Sequence, residues 1–156
     1  AAQRGPTVLF KGFTCGDVGF AMPADATATT SDGVDEYVYS TVAEKACNTA
    51  VQRQQVNAGG EDITAIPIGD LKNQLISNLA ASGVTATVNS SRTVYFGSVP
   101  AYRYALTTTA GSVTRNQYAY EVVIGNVWYE VAFTSNNPTM IDTIDSTITI
   151  GGYSAG

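Results

Sequence analysis

Histidine is absent from this 156-residue chain, and charge is scarce: 8 Lys and Arg against 13 Asp and Glu, 13% of all residues. Without histidine there is no Ser-His-Asp or Cys-His pair and no His-ligated zinc. The basic residues are few and scattered, and the net charge is −5, so no cationic stripe is available to track a phosphate backbone. No nucleic-acid partner is expected. Gly-rich phosphate loops, Ser-x-x-Lys and Gly-x-Ser-x-Gly are missing as well. No apolar run approaches the ~18 residues a membrane helix needs, and no basic-then-apolar leader is present.

What remains is an apolar fraction of 44%, ordinary for a globular chain, with its polarity carried by Thr, Ser, Asn and Gln. The length suits a single domain over residues 1–156, with loose ends expected at 1–6 and 151–156. Two cysteines, Cys15 and Cys47, are too few for a metal cage and do not form Cys-x-x-Cys. An even pair in a chain rich in Thr and Ser is expected to form one disulfide in an oxidising compartment, the alternative being two buried thiols. The start of the sequence fits a mature end left by cleavage, and it allows a lipid anchor upstream of residue 1.

Periodicity gives an α+β expectation: a mostly antiparallel sheet of about seven strands with two packed helices. Ile68, Leu71, Leu75, Ile76 and Leu79 form a helical stripe, with Asp70 as a candidate N-cap and Gly83 just past the C-terminus. A shorter helix is marked by Asn137 as cap, Pro138 in the first position, and Met140, Ile141 and Ile144 as packing face. Strands are expected at Thr7–Thr14, Val18–Met22, Glu36–Val42 and Cys47–Val56, and at about 84–89, 92–96, 101–109, 115–124, 127–134 and 147–150. Residues 24–34 read as a loop with a turn at Ser31-Asp32-Gly33, and Ala43-Glu44-Lys45 as a turn or bulge.

The sharpest local signal is Gly125-Asn126 between two β runs, a two-residue hairpin turn. That turn sets Glu121 opposite Glu130, Val123 opposite Trp128 and Tyr120 opposite Val131. Tyr118, Tyr120, Val122 and Ile124 then share a core face with Val127, Tyr129, Val131 and Phe133, and the other face is mixed.

The segments Gly97-Ser98-Val99-Pro100-Ala101-Tyr102-Arg103-Tyr104, Trp128-Tyr129-Glu130-Val131-Ala132-Phe133 and Ile144-Asp145-Ser146-Thr147-Ile148, with Phe20-Ala21-Met22-Pro23 before them, carry a resemblance. From about Gly83 to Tyr153 the chain resembles the PsbP-like fold family. That family includes the extrinsic photosystem II subunit, the small Ran-binding nucleotide-release factor, and exported bacterial proteins of the LpqN type. The resemblance implies an antiparallel sheet with helices packed on it, and binding or assembly rather than catalysis. The Cys15–Cys47 pair is not part of its pattern.

Glu121, Trp128 and Glu130 form the candidate binding face. Directly opposed carboxylates repel, so such a pair binds a cation, shares a proton, acts as a glycosidase pair, or is neutralised by Arg103 or Arg115 on a neighbouring strand. Trp128 is either an exposed anchor for a partner or sugar ring, or is covered by a helix or the N-terminal segment. Tyr102 and Tyr104 share a strand face and read as core with hydroxyls at the rim. Asp32, Asp35 and Glu36 read as a solvated turn, and Asp142 and Asp145 as helix surface charge. Asn89-Ser90-Ser91 is a formal glycosylation sequon.

The chain is therefore expected to be a non-enzymatic protein, secreted or of the cell envelope, with no cofactor, that binds another protein or itself. The alternatives are a self-assembling filament or surface-layer subunit and a carboxylate-dependent enzyme acting on glycans.

Overall fold

The computed structural model describes residues 8–39 and 46–156; the expected turn at Ala43-Glu44-Lys45 and the end at 1–6 lie outside the described residues. The architecture is α+β, as expected, in three layers. A seven-stranded antiparallel sheet in the order β3-β4-β5-β9-β8-β7-β6 forms the middle layer. Its strands are β3 (Thr27–Ser31), β4 (Val34–Tyr39), β5 (Cys47–Gln55), β6 (Thr85–Phe96), β7 (Val99–Ala110), β8 (Val113–Ile124) and β9 (Val127–Ser135). One face is covered by α1 (Ile68–Ala81). The other is covered by α2 (Pro138–Asp145) and a small sheet, β1-β2-β10-β11, of β1 (Phe10–Cys15), β2 (Val18–Pro23), β10 (Thr149–Ile150) and β11 (Tyr153–Ser154).

The hairpin register is the one the turn dictates: Glu121 faces Glu130, Val123 faces Trp128 and Ile124 faces Val127. Gly125 alone takes a positive φ, 59°, so the turn belongs to the type that places glycine first rather than the one needing two positive residues. Asn126 is used differently. Its backbone carbonyl accepts from the Val56 N–H and its side chain from the Ala58 N–H, fastening the turn to the end of β5.

Tyr120, Val122, Tyr129, Val131 and Phe133 point to the α2 side, where they meet Phe20 and Met22 of β2 and Met140, Ile141 and Ile144 of α2 in one buried cluster. Asn137 caps α2 as expected, its side chain accepting from the Met140 N–H at 2.9 Å. The opposite face is a second core, of Ile63, Leu71, Leu75, Tyr102, Tyr104, Leu106 and Ala119, with Trp128 packed at its edge. Helix α1 ends as read: Gly83 takes φ 79°, and the Gly83 and Val84 N–H groups return to the Ala80 and Leu79 carbonyls. Its start differs. Pro67 supplies the capping carbonyl to Asp70 and Leu71, and Asp70 sits inside the first turn, where a negative charge complements the helix dipole.

Other elements depart from expectation. The 24–34 loop contains β3, whose five residues are all exposed, so no alternation of apolar residues announces it. Strand β6 is continuous through a bulge at Asn89 rather than two strands. The 151–156 end is tied down: β11 pairs with β10, Ala155 bridges Phe96, and Gly156 exchanges two backbone hydrogen bonds with Tyr95.

Candidate functional site

Strand pairing lays one row of side chains across the large sheet beneath α1. Tyr102 opposes Glu121, Glu121 opposes Glu130, and Glu130 opposes Gln52. Directly opposed residues hold their Cβ atoms ~4.5–5.5 Å apart. One step along, Gln54 opposes Trp128. The indole Nε1–H donates to Glu121 Oε2 at 2.6 Å, a short contact that holds the carboxyl against the ring. Helix α1 presses Leu71 and Leu75 onto this region and turns Gln74 and Asn78, four residues apart on one flank, toward the carboxyls. The result is a cleft of about 220 Å³ with two carboxyl groups at its base, Trp128 to one side and four amide side chains around it.

Burial governs the chemistry of this pair. Glu121 is 3% exposed. Loss of hydration raises its pKa from the ordinary 4.5 to about 9, the neighbouring Glu130 pushes the same way, and the Trp128 N–H works against both. Burial raises Glu130 too. Neither Arg103 nor Arg115 forms an ion pair with either glutamate, so the expected neutralisation by a neighbouring arginine is not what holds them. At neutral pH the base of the cleft holds a proton. A protonated carboxyl can donate as well as accept, and the amides offer both kinds of hydrogen bond. Among the described residues no group of three or more Cys, Asp or Glu side chains assembles to hold a metal.

Trp128 is half-covered by α1, so it stands at the edge of the cleft rather than presenting an open ring. Tyr102 and Tyr104 are buried and donate to the Ile66 and Ile68 carbonyls, pinning the start of α1 to the sheet with hydroxyls at the rim. The amides Gln52, Gln54, Gln74 and Asn78 were not singled out from the sequence. Their two-residue spacing on β5 and four-residue spacing on α1 was a readable signal, but nothing local says that α1 lies over β8 and β9.

The expected disulfide does not form. Cys15 and Cys47 are both buried free thiols. The Cys15 thiol is engaged elsewhere, donating to Asp35 Oδ2 at 2.7 Å, and that carboxylate also accepts from Thr30 and pairs with Arg53 at 2.9 Å. Asp35 is thus a buried hub and not part of a solvated turn. Burial pushes the Cys15 thiol up to about 12 and the Cys47 thiol to about 11, which leaves both unreactive at neutral pH. Asp145 is likewise no surface charge. It pairs with Arg103 at 2.9 Å and accepts from Tyr120 at 2.6 Å, binding α2 to the sheet, while Arg103 lies 4.3 Å from the centre of the Tyr118 ring.

No known protein family matches the sequence, and no curated protein is similar to it in sequence. Solved structures do match in fold. A Bacteroides thetaiotaomicron structure is similar over 86% of this chain and 45% of its own, at 13% identity and TM-score 0.55. PA94 of Pseudomonas aeruginosa, a protein of unknown function, is similar over 85% of this chain and 86% of its own, at 7% identity and TM-score 0.51. Cyanobacterial PsbP of Synechocystis matches 96% of this chain with 97% of its own, at TM-score 0.70 and 11% identity. The structural match and the near-complete overlap of the two chains make this a PsbP-like fold.

Proposed function

We propose that the chain is a non-enzymatic binding protein, secreted or of the cell envelope, that takes a segment of another protein into the cleft between α1 and the large sheet. The observation that carries this reading is the cleft itself: a deeply placed carboxyl pair without a counter-ion among the described residues, ringed by amides that accept and donate. Such groups complement a polypeptide, with its amides, hydroxyls and basic side chains. The low surface charge and the PsbP-like fold agree with export and with a binding role, but the free cysteines withdraw the disulfide as a support for it.

A photo-crosslinking residue placed at Asn78 tests this in the native envelope or medium fraction. Capture of a defined protein from that site, lost when Trp128→Ala is added, supports the reading. Turnover of a glycan that Glu130→Gln abolishes would replace it with the enzymatic one.

Self-assembly has one observation in its favour. Strand β3, Thr-Ala-Thr-Thr-Ser, is an exposed edge of the seven-stranded sheet and carries no charge of its own to block strand addition. Sedimentation over a wide concentration range separates the two, since an assembling subunit grows in mass with concentration.

A further inference from the structure

The groove beside α1 continues past the carboxyl pair. Leu71, Leu75 and Asn78 wall its acidic end. One turn further on, Leu79 walls a second hollow of about 470 Å³ whose floor includes Ala50, Ala132 and Thr134. Ala50 and Ala132 each stand two residues from Gln52 and Glu130 on the same sheet face, so the two hollows adjoin along one flank of the helix. Arg115 lies at the far end of the second hollow, exposed, with no ion pair among the described residues. It shares a face with Glu121, because six residues on the regular strand β8 is an even number of steps. At ~3.3–3.4 Å per residue the two ends are about 20 Å apart.

We propose that this groove holds an extended segment of a partner protein, with a basic side chain at the Glu121–Glu130 end and a carboxylate at Arg115, about six residues away. The proposal rests on the reading of the cleft as a protein-binding site and adds the chemistry of what enters it. An extended peptide advances by the same rise as the strand beneath it, and residues six apart in it face the same side. A Lys at the first of these positions and an acidic residue at the seventh would therefore meet the two charged ends together. The third and fifth residues would lie over the alanine and threonine floor, whose short side chains leave room for Val or Ile beside Leu79. Opposite charge at the two ends also sets the direction of the segment and disfavours its reverse.

The experiment uses the full chain and the peptide acetyl-Lys-Ser-Val-Ser-Val-Ser-Glu-amide, its reverse, and versions with Gln in place of Glu or norleucine in place of Lys, titrated by calorimetry. One direction is expected to bind with Kd below ~1 mM. Arg115→Ala should weaken the Glu-ended peptide by about threefold or more and leave the Gln-ended peptide unchanged. Glu130→Gln should do the same to the Lys-ended peptide against its norleucine counterpart. A folding defect would weaken all peptides alike, so this selectivity reports the charge contacts themselves. The proposal is overturned if neither direction binds at that concentration, or if charged and neutral peptides lose equally. Should the Asn78 crosslink still capture a protein in that case, the binding reading stands and the charge-paired segment falls; if the crosslink also fails, both fall.

Discussion

Replacing Glu121 by Gln should make the protein more stable at pH 8 while leaving it unchanged near pH 4. In the folded chain Glu121 holds its proton up to about pH 9, whereas the unfolded chain gives it up near 4.5. Stability drawn from this group is fully present below the unfolded value and is lost as pH rises toward the folded one. The slope is at most about 1.4 kcal/mol per pH unit, the most that one proton difference allows. Part of the burial cost is relieved where the cleft admits water, so the expected gain for Glu121→Gln at pH 8 is ~2–4 kcal/mol. The amide oxygen of Gln keeps an acceptor for the Trp128 N–H, so the variant removes the charge and not the contact. Asp35 and Asp62 act with the opposite sign and at lower pH, because hydrogen bonds depress their pKa values below 3.8. Urea midpoints for both proteins at half-unit steps from pH 4 to pH 9 give the difference curve directly. A difference that stays flat, or a variant less stable than wild type at pH 8, would refute the burial of a protonated carboxyl at the base of the cleft.

Leu75→Ala, beneath the middle of α1, should cost ~2–5 kcal/mol in chemical denaturation, and a loss under ~0.5 kcal/mol would mean the helix is not packed on the sheet. Asp145→Ala leaves Arg103 enclosed beside Tyr118 and Tyr120 without its carboxylate; a loss of about 3 kcal/mol is expected, partly recovered by a further Arg103→Met change. Intact mass of freshly isolated protein should show the dithiol, with both cysteines blocked to alkylation until denaturant is added. A mass two hydrogens lower would restore the disulfide.

Much of the site was legible because its signals are local. Gly125-Asn126 sets the register by turn geometry alone, and register sets every opposed pair up to Glu121 and Glu130. Asn137-Pro138 and the stripe from Ile68 to Leu79 are local in the same sense. What escaped depends on contacts between distant segments. Strand β3 is exposed on every residue and exists because β4 pairs with it. Asp35 and Asp145 read as surface charges until Arg53 and Arg103 arrive from 18 and 42 residues away. The cysteine pairing failed for a related reason: an even count says nothing about geometry, and the Cys15 thiol had a nearer partner in Asp35. The mixed composition of the outer β8–β9 face is visible in the sequence, but its burial depends on α1 returning across it.

Binding at the flank of α1 over β5, β9 and β8 is read out by NMR shift mapping with the crosslinked partner. The single tryptophan makes this sharp, since the Trp128 indole N–H gives one resolved signal and its partner is Glu121. This signal is expected to move on titration, together with the amides of residues 50–54, 71–79 and 115–121. Shifts confined to the β1–β2 hairpin or to the β3 edge, with the indole signal unmoved, would contradict it.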